Sequence, residues 1–111
     1  AFTPDGKRVV ATCAAQGVVR VFDATKRVEE GAVTLEFDGE WANRIEETPP
    51  GMADVVPLGV IAPSNDLAFV TIANGAMAVE IDLNTRAITR CFETGAGPDG
   101  VAYSARVGVE R

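Results

Sequence analysis

The sequence predicts an all-β protein made of repeated antiparallel units, and three observations support this prediction. Residues 2–23 align without a gap with residues 61–82, at a constant offset of 59 positions. Each copy alternates apolar and polar residues in short runs that are separated by turn-forming Pro, Asp, Asn and Gly. Residues 102–104 (AYS) match residues 1–3 (AFT), so that the second unit runs 42 positions, from Ile61 to Tyr103.

A period near 40 residues with four short strands is typical of β-propeller blades. The fold class predicted is therefore all-β, with four-stranded antiparallel β-propeller blades. Residues 1–60 are expected to form one blade with an acidic insert at 38–58, residues 61–102 a second blade, and residues 103–111 the start of a third blade or a tail. Because a ring needs about four to eight blades, we expect either a partial propeller within a longer protein or a ring completed by oligomerisation.

The individual elements follow from the alternation and the turn residues. Six strands are predicted, at residues 8–13, 18–22, 32–37, 67–72, 76–81 and 87–93. The tail of an inner strand precedes them at residues 1–3, and Asn74-Gly75 is a hairpin signal between the strands at 67–72 and 76–81. The turn at 23–31 is predicted to be four residues longer than its counterpart, and the link between the units thirteen residues longer. One helical turn is predicted within residues 41–47.

The predicted strands also assign side chains to faces. One apolar set is predicted from Val9, Ala11, Val19 and Val21, with Ala68, Val70, Ala78 and Glu80 as its counterparts. Since two blades would leave such faces and their sheet edges uncovered, further blades or self-association are expected.

Four segments resemble the YVTN family of bacterial and archaeal propellers. They are residues 97–104 (GPDGVAYS), 1–8 (AFTPDGKR), 68–74 (AFVTIAN) and 81–85 (IDLNT), while residues 19–23 (VRVFD) are equally similar to the end of a WD-repeat blade. The resemblance covers most of the chain apart from residues 38–58 and 105–111. It implies a periplasmic or extracellular protein, since such propellers include surface-layer proteins, secreted binding proteins and subunits of periplasmic amine dehydrogenases. The second unit departs from the pattern because it lacks the Pro-Asp-Gly turn.

The charge is concentrated in one segment. The net charge is −6, which argues against a nucleic-acid surface. Residues 28–54 hold eight carboxylates and a single base, Arg44, for a net charge of −7. No run of apolar residues is long enough to span a membrane. A protein or a cationic ligand is therefore the expected partner.

The residue types present argue against most catalytic chemistry. The chain contains no His, which removes Ser-His catalysis, His-metal sites and the commonest general base. Segment 38–40 lacks the regular spacing of a calcium loop, and neither a metal nor a cofactor is expected. Asp23, Asp82 and Asp99 are interpreted as turn formers. Cys13 and Cys91 are expected to be free, half-buried thiols, with a disulfide as the alternative.

The candidate site is the insert, where Trp41 is the only Trp of the chain. Trp41 either packs the long loop onto the sheets or anchors a partner, since Trp is enriched at binding hot spots. Glu40, Glu46 and Glu47 lie beside it in the sequence and are the candidate partner-binding carboxylates. The insert is expected on the face that carries the turns between the second and third strands, and its deletion is expected to leave the strands intact.

Two functions follow. The first is a non-catalytic binding or scaffold module that uses the acidic insert for recognition. The alternative, implied by the family resemblance, is the propeller part of a periplasmic cofactor-dependent dehydrogenase, with its chemistry supplied by another subunit or domain.

Overall fold

The computed structural model describes residues 1–95, which form two antiparallel sheets and one short helix. The first sheet has the order β1-β2-β3 and the second the order β4-β5-β6-β7. The elements are β1 Arg8–Cys13, β2 Val18–Asp23, β3 Val28–Thr34, α1 Gly39–Asn43, β4 Pro57–Ile61, β5 Leu67–Ile72, β6 Met77–Asp82 and β7 Ala87–Glu93. The all-β prediction is confirmed. The motif at 97–104, with Asp99, and the unit predicted at 103–111 lie outside the described residues.

In each sheet, the segment that comes before the first hairpin in the sequence pairs with the first strand of that hairpin, β1 or β5. In the first sheet, Phe2 forms an isolated bridge with Val9, and the amide of Thr3 donates to the carbonyl of Arg8 at 3.0 Å. In the second sheet this place is taken by β4, which begins at Pro57. The strand therefore begins four residues before Ile61, where its tail was predicted to start, and its first two residues belong to the predicted insert.

The prediction of the outer strand at residues 32–37 was wrong, because β3 begins at Val28. The turn before it is short: Asp23 Oδ1 accepts the amides of Thr25 at 2.9 Å and Lys26 at 2.8 Å. Asp82 Oδ1 accepts the amides of Asn84 and Thr85 in the same way. Turn formation by both aspartates is confirmed, but the extra four residues predicted in the first turn do not exist.

The repeat consequently extends further than the sequence comparison indicated. Strands β3 and β7 both have seven residues and keep the offset of 59, from Val28 and Ala87 to Thr34 and Glu93. A register shift occurs after Val21 in one sheet and after Glu80, the equivalent position, in the other. The added length therefore lies after Thr34, in the connection between the sheets.

The β5–β6 hairpin loop is one residue longer than the three residues left between the predicted strands at 67–72 and 76–81, because β6 begins at Met77. The strands are joined by residues 73–76, and the positive φ of 48° falls on Ala76 rather than on Asn74 or Gly75. The β1–β2 hairpin has the same four-residue loop, with Gly17 at φ 67° in the equivalent position. Loop length sets which residues pair across a hairpin, so this difference matters for the faces of the sheet.

The predicted apolar face mixed two faces of each sheet. Strand pairing places Val10 opposite Val21 and Val9 opposite Phe22, and directly paired residues share a face. Val9 and Ala11 are therefore on the face opposite Val19 and Val21. In the second sheet the pairing of Ala68 with Ile81 likewise separates Ala68 and Val70 from Ala78 and Glu80.

The two sheets share one hydrophobic core. It is built from four Val of one face of the first sheet and six apolar residues of one face of the second: Val10, Val19, Val21, Val33, Ala68, Val70, Ile72, Met77, Val79 and Ile81. All ten are at most 3% exposed. Since fully burying such side chains stabilises a fold by about 1.5–3 kcal/mol each, this contact holds the two sheets face to face.

Candidate functional site

The connection between β3 and β4, residues 35–56, is called the insert below. It contains α1 (Gly39–Asn43) and begins with Leu35, which is 4% exposed, and ends with Val56, which is 7% exposed. Phe37 and Val55 also pack against the core. Both ends of the insert are therefore part of the fold, although most of the residues between them are half-buried or exposed.

Trp41 joins the insert to the body of the protein. It lies in α1, is half-buried, and packs against the core together with Ile45. The guanidinium of Arg44 lies over its ring, 5.6 Å from the ring centroid, within the range of a cation–π contact. Of the two roles considered for Trp41, packing of the loop onto the sheets is the one that its contacts display.

Arg44 fastens the insert to the turn between β5 and β6. Its Nε donates to the carbonyl of Gly75 at 3.3 Å and its Nη2 to the carbonyl of Ala76 at 2.9 Å. Its Nη1 also lies 3.2 Å from the carboxylate of Glu93. The cation is thus engaged with the sheet, and its charge is directed away from the outer surface of the insert.

Asn74 holds two further points of the insert. Its side-chain Nδ2 donates to the carbonyls of Glu46 at 2.8 Å and Asp54 at 2.7 Å, and its Oδ1 accepts the amide of Val56 at 3.0 Å. Its backbone carbonyl accepts the amide of Glu46 at 2.7 Å. The sequence marked Asn74 as a turn former, and no signal in the sequence pointed to this second role.

The insert also covers the equivalent turn of the first sheet. A side chain at Gly17 would meet the carbonyl oxygen of Val55 at 3.0 Å and Cβ of Ala53 at 3.1 Å, and one at Gly75 would meet the side chain of Ile45 at 2.9 Å. Both hairpin turns are thus closely approached by the insert. The prediction that the insert lies on the side of the molecule that carries these turns is confirmed.

The three candidate carboxylates have a common environment. Glu40 follows the first residue of α1, and Glu46 and Glu47 follow α1; all three are exposed. None of their carboxylates forms a hydrogen bond or ion pair within residues 1–95. The backbone of Glu46 is fixed at both its amide and its carbonyl, so that this carboxylate projects from a held position.

The acidic segment is divided by the fold. Glu29 and Glu30 belong to β3, where Glu29 pairs with Arg20 at 3.0 Å and Glu30 with Arg8 at 3.3 Å. These two charges are compensated locally. The uncompensated negative charge therefore lies within the insert rather than along the whole of residues 28–54.

A polar cleft of about 370 Å³ lies at the opposite end of the strands. Arg8 crosses it, with Nη1 donating to Oδ1 of Asn84 at 3.0 Å, and Asn84 Nδ2 donates in turn to Asp66 at 3.0 Å. The amide of Asp5 donates to Oδ1 of Asn65 at 3.0 Å. These bonds connect the first sheet to the second, so that the cleft is a polar seam between them. The sequence analysis did not identify it.

Other groups with potential chemistry are isolated. Cys13 and Cys91 are free and half-buried, as expected, and burial, aided by the charge of Asp38, raises the pKa of the Cys91 thiol. No three carboxylates or thiols within residues 1–95 converge to hold a metal ion. Over the same residues, α1 is far too short to cross a membrane.

Comparison with known proteins gives a structural likeness only. No protein-family profile matches the sequence, and neither does any curated protein. Among solved structures, a chain of hydrazine synthase from Kuenenia stuttgartiensis superposes with a TM-score of 0.68 and 16% sequence identity. The match covers 89% of the present chain and 23% of that chain. At this identity the likeness shows a shared fold, and the protein described here corresponds to about a quarter of its neighbour.

Proposed function

We propose that the two sheets are consecutive blades of a β-propeller that resembles the YVTN family, and that the module is a non-catalytic binding scaffold. Three features support the architecture: the gap-free offset of 59 from β1 to β3, the equal turns at Asp23 and Asp82, and the packing of one sheet face on the other. Binding is assigned to the insert, which lies over both hairpin turns.

The observation that carries this proposal is the inward orientation of Arg44. It is the only base between residues 35 and 56, and it is bound to the carbonyls of Gly75 and Ala76. Its side chain is 30% exposed and is paired with Glu93, so that carboxylates dominate the outward surface of the insert, among them Glu40, Glu46 and Glu47. A predominantly negative surface on a held frame favours a basic protein segment, or another polycation, as the partner.

Binding of the whole chain to immobilised poly-lysine at several salt concentrations tests this assignment. Replacement of Glu40, Glu46 and Glu47 by Gln should slow association, and the difference from the parent should shrink at high salt, because the Debye length falls from about 10 Å at 0.1 M to about 3 Å at 1 M. A matched control raises the net charge by the same three units at the opposite ends of the strands, through Lys at the exposed positions Thr25, Thr85 and Ala87.

The two variants have the same net charge, and their comparison separates a local site from a general charge effect. A much larger loss of association rate for the insert variant supports the proposal. Equal rates for both variants would show that only net charge matters and would remove the insert as the recognition element.

A further inference from the structure

Asn74 and Gly75 form a pair that is chemically suited to deamidation of the asparagine. The backbone nitrogen of the residue after an Asn attacks the side-chain carbon Cγ of that Asn, and Asn is accordingly one of the thermolabile residues of proteins. Gly hinders this attack least, because it has no Cβ and the widest range of backbone conformations. Of the four Asn, at positions 43, 65, 74 and 84, only Asn74 precedes Gly.

The folded protein keeps both reacting groups of this pair engaged. The side chain of Asn74 makes three hydrogen bonds to the backbone of the insert, between 2.7 and 3.0 Å long. The attacking nitrogen, that of Gly75, donates its hydrogen to the carbonyl of Ile72 at 3.3 Å. The reaction requires Cγ to turn toward this nitrogen and the nitrogen to lose its hydrogen, so these bonds must break first.

The insert also encloses Gly75. The residue is buried, and a Cβ at this position would lie 2.9 Å from the side chain of Ile45. Arg44 donates to its carbonyl at 3.3 Å. Closure of a ring between Asn74 and Gly75 rearranges the backbone at this point, and the contacts with Ile45 and Arg44 oppose that movement. Release of the insert by local opening removes these contacts and the bonds of Asn74 together.

We propose that Asn74 is a modification site, whose deamidation is blocked while the insert is docked and whose product prevents the insert from docking again. The deprotonated nitrogen of Gly75 bonds to Cγ of Asn74, and Nδ2 leaves as ammonia with the proton that this nitrogen lost. Water then opens the resulting cyclic imide at one of its two carbonyl carbons and gives aspartate or isoaspartate. The net change is the uptake of one water and the release of one ammonia, without oxidation or reduction.

Both products remove contacts that hold the insert. A carboxylate has no hydrogen to donate, so that the carbonyls of Glu46 and Asp54 lose the donor they now have at 2.8 and 2.7 Å. The new negative charge would lie beside these carbonyls, in a segment where residues 35–56 already hold six carboxylates and one base, Arg44. Isoaspartate also lengthens the backbone of the hairpin loop. The inference rests on docking of the insert and not on its recognition role.

Mass spectrometry of the incubated whole chain tests whether docking blocks the reaction. The folded parent, the parent in urea and the variant Arg44→Met are kept at a mildly alkaline pH, and deamidation at Asn74 is followed as a mass increase of one unit in the peptide that contains it. The parent should react much faster in urea than folded. Arg44→Met should react about 5–150-fold faster than the folded parent, since its lost bonds raise the open population by this factor.

Arg90→Met is the matched control for this comparison. Arg90 lies over the ring of Phe92 in β7 and forms no hydrogen bond or ion pair with the insert as far as residues 1–95 show, so that its variant should react at the parent's rate. Trp41→Leu, which loosens the packing of the insert, replaces Arg44→Met should that variant lack the parent's far-UV circular dichroism.

Asn74→Asp reproduces one product directly and tests its effect. Acrylamide should quench the fluorescence of Trp41 more strongly in this variant than in the parent, toward the value in urea. Asn65→Asp adds the same charge at an Asn whose Nδ2 donates no hydrogen bond within residues 1–95 and whose Oδ1 accepts the amide of Asp5, and it should be quenched like the parent.

Three results would overturn the proposal. They are equal deamidation rates in the folded and the urea-unfolded parent, equal rates in Arg44→Met and the folded parent, and quenching of Trp41 in Asn74→Asp that matches the parent's. None of these measurements involves poly-lysine, so that a failure of the recognition assignment and a failure of this proposal are distinguishable.

Discussion

At the scale of single residues, the two hairpin loops differ in local backbone strain. The equivalent fourth positions of the two hairpin loops are Gly17, with φ 67°, and Ala76, with φ 48°. A left-handed conformation is free of steric cost for Gly but costs roughly 1 kcal/mol or more for a residue with Cβ. The second hairpin is therefore strained at one residue where the first is not.

Replacing Ala76 by Gly should stabilise the protein by about 0.5–1 kcal/mol, since relief of the left-handed strain exceeds the added entropy of the unfolded chain. The carbonyl of residue 76 remains available to Arg44 and to the amide of Thr94. The free energy of unfolding in urea measures the effect. Ala73→Gly, in the same loop but without a positive φ, is the control and should be destabilising; a loss of stability in Ala76→Gly would contradict the strain argument.

The carboxylates of the turns predict a dependence on pH. Hydrogen bonds from the amides of Thr85 and Asn84 lower the pKa of Asp82 below its ordinary range, and bonds from the Lys7 amide and the Thr3 hydroxyl lower the pKa of Asp5 in the same way. A lowered pKa in the folded state means that the stabilisation is present above the unfolded pKa and is lost as the pH falls through the folded pKa. Stability should thus decrease below about pH 4.

Asp82→Asn isolates this contribution, because Asn keeps an oxygen that accepts the two amides but does not titrate. The variant should show a smaller decrease in the unfolding midpoint between about pH 5 and pH 2 than the parent. Glu47→Gln is the control, since the carboxylate of Glu47 accepts no hydrogen bond from residues 1–95, and its pH profile should match the parent's. Superimposable profiles for Asp82→Asn and the parent would refute the assignment.

At the scale of elements, the insert is a docked segment, whereas the sequence favoured a dispensable loop. Loop length alone costs little, roughly 0.6 kcal/mol for each doubling, and deletion was expected to be harmless on that ground. The structure adds terms that this estimate omits: burial of Val56, packing of Trp41 and Ile45 on the core, and four hydrogen bonds at Asn74. These contacts make the insert part of the cooperative fold.

Deletion of residues 39–56, with a short Gly-containing bridge, should therefore lower the free energy of unfolding by at least about 3 kcal/mol, the value of one or two buried apolar side chains. Deletion of residues 50–51, which are exposed, is the matched control and should cost less than about 1 kcal/mol. Equal stability of the two deletions, measured by urea unfolding, would restore the interpretation of the insert as a solvated connector.

Arg44 provides a point test of the same docking. Arg44→Met keeps the packing volume but leaves the carbonyl of Gly75 without its donor, and should cost about 1–3 kcal/mol. Hydrogen exchange of the Ile45 backbone amide with solvent should accelerate as the stability falls. Arg90→Met is the control, because Arg90 also lies over an aromatic ring, Phe92, yet donates no hydrogen bond to the backbone within residues 1–95. A similar loss of stability in both variants would show that the bonds to the carbonyls do not hold the insert.

At the scale of the whole molecule, the shared core predicts that the two sheets unfold together. Trp41, the only Trp, reports on the insert and the second sheet, whereas far-UV circular dichroism reports on both sheets. Val21→Ala removes apolar contacts in the first sheet and should cost on the order of 2 kcal/mol. It should shift the fluorescence and dichroism transitions equally. Lys26→Ala, at an exposed turn, should shift neither, and two separated transitions would mean that the sheets are independent.

The sequence by itself determined the features that depend on neighbouring residues. The repeat, most strand positions and the turns at Asp23 and Asp82 were predictable, because alternation and side-chain capping of nearby amides depend on residues that are close in the sequence. The exposed carboxylates of the candidate site, Glu40, Glu46 and Glu47, were also predictable from charge alone.

The tertiary structure alone decided the pairing of strands and the contacts between distant segments. Pairing across the four-residue loop of the first hairpin places Val9 and Val21 on opposite faces, although the alternation of apolar residues had grouped them. Arg44 and Asn74 act on partners between 18 and 49 positions away. Such contacts leave no periodic signal in the sequence, because their geometry exists only once the sheets have packed and the insert has closed over their turns.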